Sequence, residues 1–333
     1  MTAKKVLVYS PIGLGNFLLA IPLIEYLSRT AEVDVLVKSF SEPLARKYPN
    51  YIREVIHDKG WKQNLKRIRG RGYREIYYTF PGHVNKHLLV MFLSGIRGRY
   101  GYKVPAHGRR LYFLHPAYSD YTEAENEALL NLRLAQPEAT YDTIHAQREK
   151  YWLRDAEVPL RGRVCLHPGS EVGALGELKR WPLDHWNRLL QQLNQLPEVE
   201  EINVILGPKE VNLEAELQLP AKASFVKTNL NNLVSILSGA RLMIGNDSGI
   251  SHLEACSGVP TITLFGPVSW LKSHPIGNRE NVMALPLDCA PCQQFSADIE
   301  CTNAQHQACM RGITPEAVIE RVQAMDIFAG RNA

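Results

Sequence analysis

The feature that most restricts this chain is a recurring alternation: short apolar runs, each followed by a turn and then a helical pattern. Val6–Tyr9 predicts a buried strand that ends in Pro11-Ile12-Gly13-Leu14-Gly15, with a helix starting near Asn16, a residue suited to an N-cap. Val33, Val35 and Val37, then Glu54–His57, Glu75–Phe80 and Arg99–Tyr102, predict further strands, while Trp61–Arg69, His87–Leu93 and Glu123–Ala135 predict helices. Periodicity lapses over residues 136–162, which include Pro137 and Pro159, and this reads as an inter-domain connection. It resumes at Arg163–His167. Strands at Ile202–Leu206, Leu242–Gly245 and Thr261–Phe265 then alternate with helices marked by Trp186, Leu189, Leu190 and Leu193, by Leu230, Leu233, Ile236 and Leu237, and by Ser251–Cys256. Thr314-Pro315-Glu316 opens a last helix with an N-cap, a proline and a first-turn acid. This pattern predicts two α/β domains with mostly parallel sheets, residues 1–150 and 151–333. Ligands of such sheets bind beyond the carboxyl ends of the strands.

A hydrophobic fraction of 45% and a charged fraction of 22% suit a soluble globular chain and exclude a mostly disordered one. Lys4 and Lys5 precede an apolar stretch to Leu27, but Pro11, Gly13, Gly15, Asn16 and Pro22 interrupt it and no small-residue cleavage site follows. No run of about 18 apolar residues occurs. A cytoplasmic protein is expected, with any membrane contact peripheral, at the inner face. The net charge of +4 conceals an asymmetry: 23 Lys and Arg against 14 Asp and Glu in residues 1–150, and 15 against 20 in residues 151–333. The basic excess gathers at Lys62, Lys66, Arg67, Arg69, Arg71 and Arg74, then at Arg97, Arg99, Lys103, Arg109 and Arg110. It suits an anionic substrate or an acidic membrane surface, or simply a solvated helix face. Nucleic acid is not expected as a partner, since the total charge is modest and no binding motif occurs.

Gly245-Asn246-Asp247-Ser248-Gly249-Ile250-Ser251-His252 joins a strand to a helix. The free N–H groups of a helix start attract anions, and Gly249 admits a phosphate close to the backbone. The alternative is a well-capped helix with a satisfied core histidine. His167-Pro168-Gly169-Ser170 ends another strand and is followed by Lys179-Arg180-Trp181-Pro182, whose cation suits a diphosphate. Glu210, after Gly207-Pro208-Lys209, is either a ribose acceptor or a first-turn acid. Gly13 and Gly15 lack the third glycine of a dinucleotide fingerprint, because Leu18 stands in its place, which argues against a nicotinamide oxidoreductase. Cys289, Cys292, Cys301 and Cys309 form a C-x2-C-x8-C-x7-C pattern that fits either a structural metal or packed reduced thiols.

The order of these motifs resembles glycosyltransferase family 9, the lipopolysaccharide heptosyltransferases. The resemblance is carried by Ile12–Asn16 with Ala20-Ile21-Pro22, by Leu93–Tyr102, by His167–Ser170 with Lys179–Pro182, by Asn246–Gly249 with His252, by Gly258-Val259-Pro260 with Leu264–Pro267, and by Cys309-Met310 with Ile313-Thr314-Pro315. It implies a GT-B fold, two Rossmann-like domains facing an inter-domain cleft. It further implies an inverting, metal-independent transfer that needs no cofactor. The C-terminal domain would bind a nucleotide-diphosphate sugar, typically ADP-heptose, through Ser170, Lys179, Glu210, Asn246, Asp247, Ser248, Gly249 and His252. The N-terminal domain would bind an anionic lipid-linked saccharide through Gly13, Gly15, Arg67 and Arg97.

One position departs from the family. The resemblance places an Asp, the general base, where this chain has Asn16. A neutral amide cannot take the proton. Either another group such as His83 or Glu171 supplies the base, or Asn16 merely orients the acceptor, or the chain is a non-catalytic relative that binds nucleotide sugar or glycolipid.

Overall fold

The computed structural model describes residues 4–79, 85–103, 117–153, 162–208, 210–293 and 299–328. His83, Arg109, Arg110 and Lys209 lie outside them. The chain divides into two compact units, Met1–Tyr151 and Trp152–Ala333.

Each unit is built on one six-stranded sheet whose strand pairs are parallel. The N-terminal sheet contains β1 (Lys4–Ser10), β2 (Ala31–Val37), β3 (Glu54–His57), β4 (Glu75–Tyr78), β5 (Gly98–Lys103) and β6 (Ala117–Asp120), in the order β3-β2-β1-β4-β5-β6. The C-terminal sheet contains β7 (Arg163–His167), β8 (Glu201–Ile205), β9 (Ala223–Val226), β10 (Leu242–Asn246), β11 (Thr261–Phe265) and β12 (Val282–Ala284), in the order β12-β11-β10-β7-β8-β9. Renumbered from its own first strand, the second order equals the first. Both are the doubly wound order of dinucleotide-type folds. The direction of winding reverses between β1 and β4 in one sheet, and between β7 and β10 in the other.

The central strands are legible because helices cover both faces of a parallel sheet. Val6, Leu7, Val8 and Tyr9 of β1 are all fully buried, as are Leu242, Met243 and Ile244 of β10. In the C-terminal unit, Trp186, Leu189, Leu190 and Leu193 line the buried face of the helix Leu183–Gln195. Trp186 meets Trp181 edge-on, with ring centroids 5.0 Å apart. The Trp181 indole N–H donates to the Ile313 carbonyl at 2.8 Å, which ties this core to the chain entering the last helix, Pro315–Ala324. Thr314 caps that helix by accepting from the Ala317 N–H at 3.2 Å.

Three readings of the sequence need correction. The first helix is Leu14–Leu18 with Gly13 as its N-cap, so Asn16 lies inside the first turn and its side chain is free to reach elsewhere. The stretch read as a connection holds the helix Tyr141–Ala146, fixed by a reciprocal cap between Thr140 and Thr143. It buries one residue, Ile144, too few to produce a helical period. Strands β6, β9 and β12 went unseen. All three are sheet edges; the side chains of β9 and β12 are at most partly buried, and β12 is only three residues long, although Val282–Leu285 is apolar.

Glu254, in the helix Gly249–Cys256, is an unusual core residue: it is fully buried, and neither carboxylate oxygen has a hydrogen-bond partner. Burial pushes its carboxyl well above the ordinary value of 4.5, so the folded chain carries it protonated. Above pH 4.5 the unfolded chain releases that proton and the folded chain does not. Stability from this group therefore falls as pH rises, by about 1.4 kcal/mol per pH unit until the folded value is passed. Glu254→Gln, which cannot ionise, should lose less stability than the wild type between pH 5 and 8 in urea unfolding. Parallel curves for the two proteins would show that Glu254 ionises freely in the fold.

Candidate functional site

The reversal of winding between β7 and β10 brings two strand-end loops together, Pro168–Ser170 after β7 and Asp247–Ser248 after β10. The Asn246 side chain joins them. Its amide N–H groups donate to the carbonyls of Pro168 at 2.8 Å and Gly169 at 3.2 Å, and its oxygen accepts from the Trp181 N–H at 3.1 Å. Asn246 is fully buried and its contacts are all to the protein, so it builds the site rather than facing a ligand. Ser170 is likewise buried, and its hydroxyl donates weakly to the Asp247 carbonyl at 3.4 Å.

Lys179 ends the helix Ala174–Lys179, two residues before Trp181. Its ammonium lies 3.0 Å from the Asp247 carboxylate and 2.8 Å from that of Glu171. Burial alone would lower the Lys179 value; the two carboxylates outweigh it and hold the ammonium above its ordinary range. The Lys179 and Asp247 side chains are almost enclosed, whereas that of Glu171 is half-exposed. Glu171 is paired with Lys179 in this structure.

Ser248 is the N-cap of the helix Gly249–Cys256, but its hydroxyl makes no capping bond and is buried without a partner. Ser248 thus leaves the N–H groups of the first helical turn without a side-chain cap. His252 lies on the same helix, 6% exposed, with its Nδ1 atom unpartnered. Burial drops its imidazole to about 4; Asp247 opposes the shift, while His274 and Lys179 add to it. At neutral pH His252 is uncharged and offers a hydrogen bond, not a cation.

Glu210 is the N-cap of the helix Val211–Glu216, not a first-turn residue. Its carboxylate accepts from the Gly207 N–H at 2.5 Å. It also fills the place where a Cβ on residue 169 would be, 1.6 Å from its Oε1 atom, so a side chain there would push the carboxylate aside. His167 stands 3.9 Å away across this loop pair. Burial lowers His167 and Glu210 partly restores it.

In the N-terminal unit, Gly13 and Gly15 flank Leu14 in the loop and first turn after β1. The Arg67 guanidinium is engaged with the His57 carbonyl at 2.6 Å. Arg97 is exposed and precedes β5, so it stands at the amino end of the sheet, away from the loop that carries Gly13 and Gly15. The structure does not bring Arg97 together with these glycines. Sequence reading missed a polar cluster at the carboxyl end: Asp58 receives Lys38 and the Asn64 amide, and the Tyr9 hydroxyl meets His87 Nδ1 at 2.8 Å. It also missed Glu127, whose two carboxylate oxygens accept from the Asn16 amide at 2.9 and 3.0 Å. A signal existed: Glu127 and Asn131 lie at i and i+4 on an otherwise apolar helix face.

The four clustered cysteines are free thiols; Cys309 is buried and Cys292 exposed. No metal-holding group of three or more His, Cys, Asp or Glu is assembled among the described residues. Cys289 accepts from the Asn303 amide and Cys301 from the Gln307 N–H, at 3.2 and 3.3 Å. No helix among the described residues is long and apolar enough to cross a membrane.

Comparison with known proteins adds to this geometry. The chain is 22% identical to lipooligosaccharide heptosyltransferase 2 of Campylobacter jejuni over 96% of its length and 99% of the relative. It is 25% identical to lipopolysaccharide heptosyltransferase 2 of Escherichia coli, over 96% and 98%. Its structure resembles E. coli ADP-heptose LPS heptosyltransferase II, with a TM-score of 0.69 and 21% identity over 97% and 98% of the chains. It also resembles E. coli heptosyltransferase WaaC solved with ADP-2-deoxy-2-fluoro heptose, with a TM-score of 0.68 and 17% identity over 96% and 99%. These likenesses identify the fold as GT-B. The profile of glycosyltransferase family 9 (heptosyltransferase) matches residues 100–302, and the chain belongs to that family.

Proposed function

We propose that this chain moves heptose from ADP-heptose to an anionic saccharide of the lipopolysaccharide core, with inversion and without a catalytic metal. The observation that carries the reading is the anion site of the C-terminal unit: the Gly249 helix start, the unpartnered Ser248 hydroxyl and the buried Lys179 ammonium. The relatives named as heptosyltransferases, and the E. coli enzyme solved with an ADP-heptose analogue, support ADP-heptose as the donor. The helix start and Lys179 would stabilise charge on the departing diphosphate, as oriented dipoles and a cation do in general. Inversion follows from a single displacement at the anomeric carbon. The basic N-terminal unit would receive the acceptor near Gly13 and Gly15, at a cytoplasmic membrane surface. Glu210 would sit by the ribose, Asn246 and Ser170 would hold the loops, and His252 would donate a neutral hydrogen bond.

A second reading is motivated by Asn16: a non-catalytic relative that binds the nucleotide sugar alone. Incubation with ADP-heptose and a heptose-deficient core acceptor separates the two. Mass spectrometry should show one added heptose; tight donor binding with no added mass on any such acceptor would select the binding module.

Lys179→Ala should weaken ADP-heptose binding roughly 10–100-fold in calorimetry, the worth of a charge-assisted contact in a buried site. Wild-type affinity after that substitution would move the donor site elsewhere. Glu171→Ala should act in the opposite sense. It removes the half-exposed anion that competes with phosphate for Lys179, and a gain of about two- to fivefold matches the small worth of such pairs. Because His252 and His167 are both held below their ordinary values, donor affinity should be flat between pH 6 and 8. A titration in that window that follows His252→Ala would contradict the neutral assignment.

A further inference from the structure

The register of β7 and β8 carries His167 beside Ile205, since Leu166 pairs with Val204 one residue earlier. His167 Nδ1 lies 3.1 Å from the Ile205 carbonyl oxygen. A carbonyl can only accept, so that bond places the ring proton on Nδ1. Burial lowers the imidazole from its ordinary value; Glu210 and the Ile205 carbonyl oppose the fall, and Arg180 adds to it. The ring is therefore neutral at physiological pH, and its Nε2 atom presents a lone pair.

A second acceptor stands across from it. The Glu210 carboxylate takes the Gly207 N–H through Oε2, which leaves Oε1 over, 3.9 Å from His167 Nε2. Among the described residues neither Oε1 nor Nε2 meets a hydrogen-bond donor. Both side chains are more than nine-tenths buried, with 4% of His167 and 8% of Glu210 exposed. The bare Gly169 admits the carboxylate to this place. The loop Pro168–Gly169 touches Asn246 on one side and Glu210 on the other, so the acceptor pair adjoins the anion site.

Two acceptors do nothing for each other, and a buried acceptor left unmet is costly. A single hydroxyl has one proton and meets only one of them. A metal ion would need further ligands, and no group of three or more His, Cys, Asp or Glu is assembled among the described residues. A vicinal diol supplies what the pair lacks: two donors held side by side, one for the carboxylate oxygen and one for the imidazole nitrogen.

We propose that His167 is a specificity-determining residue of the donor site, its Nε2 and Glu210 Oε1 accepting from the two adjacent hydroxyls of the nucleoside ribose. The inference rests on the ADP-heptose reading above and adds to it a requirement for both ribose hydroxyls. Heptose also carries adjacent hydroxyls, and ADP, which lacks the heptose, separates the two sources.

Calorimetry with ADP, 2′-deoxy-ADP and 3′-deoxy-ADP tests it. The wild type should bind each deoxy form about tenfold more weakly than ADP, because the acceptor facing the missing hydroxyl is left unmet. His167→Asn keeps an amide N–H for the Ile205 carbonyl and removes the Nε2 acceptor. It should bind ADP about tenfold more weakly and lose the discrimination against one deoxy form, while keeping that against the other, which Glu210 reads. His167→Gln brings an amide oxygen toward the Nε2 position and should restore most of the lost discrimination. In transfer assays His167→Asn should raise KM for ADP-heptose about tenfold and leave kcat within about threefold, as loss of uniform binding does. A merely structural histidine would weaken all three nucleotides alike, which overturns the proposal. So does a wild type that binds the deoxy forms as well as ADP, a result that stands even if His167→Asn does not fold. If His167→Asn weakens ADP-heptose but not ADP, the diol is that of the heptose and the ribose assignment falls. These failures leave the donor-site reading intact; a wild type that binds neither ADP nor ADP-heptose overturns both.

Discussion

Three backbone groups from two segments of the C-terminal unit, Pro168-Gly169 and Trp181, converge on one buried side-chain amide, that of Asn246. Little else in the donor site can be placed without it. The loop after β7 would otherwise bury two carbonyls, and the segment entering Trp181 an N–H, with no partner, at a cost of about 1–3 kcal/mol each. Because the amide accepts from Trp181, the chain just before Trp181 is also fixed, and Lys179 is delivered to Asp247. Trp181 in turn is anchored through its indole N–H and its contact with Trp186. Core packing and ligand chemistry are thus joined through one residue. The bare glycine at 169 leaves the space that the Glu210 carboxylate takes.

What could be read from the sequence, and what could not, divides along a physical line. Strands buried on both faces announce themselves as apolar runs, so β1, β2, β7, β10 and β11 were visible. Edge strands β9 and β12 are short and at most partly buried, so nothing in Ala223–Val226 or in the apolar Val282–Ala284 distinguishes a strand from a loop. The proposed donor site could be nominated because its parts lie in local strand-to-helix turns, whose residue types suit an anion. The Asn16–Glu127 pair could not, since 111 residues separate its members and no local pattern links them. Composition also misled in one respect. The basic excess suggested that Arg67 and Arg97 serve a common ligand, whereas one is bound to a carbonyl and the other stands at the far end of its sheet.

Charge in the donor site is best understood as a balance awaiting its third member. Lys179 lies between two carboxylates, so the trio of Lys179, Asp247 and Glu171 carries a net negative charge that no diphosphate would approach. The two carboxylates are not equivalent. Asp247 is enclosed, and leaving it unpaired would strand a buried charge. Glu171 is half-exposed and loses little on returning to water. Replacement of Glu171 by phosphate therefore exchanges a weak solvated contact for one backed by a helix start, while the Asp247 pair persists. The ammonium stays charged in either case, because burial never acts on it without an anion beside it. An α/β fold with a mildly acidic C-terminal half can accordingly hold a polyanion: its overall charge acts at long range through screening salt, and the exchange at Lys179 acts within a single contact.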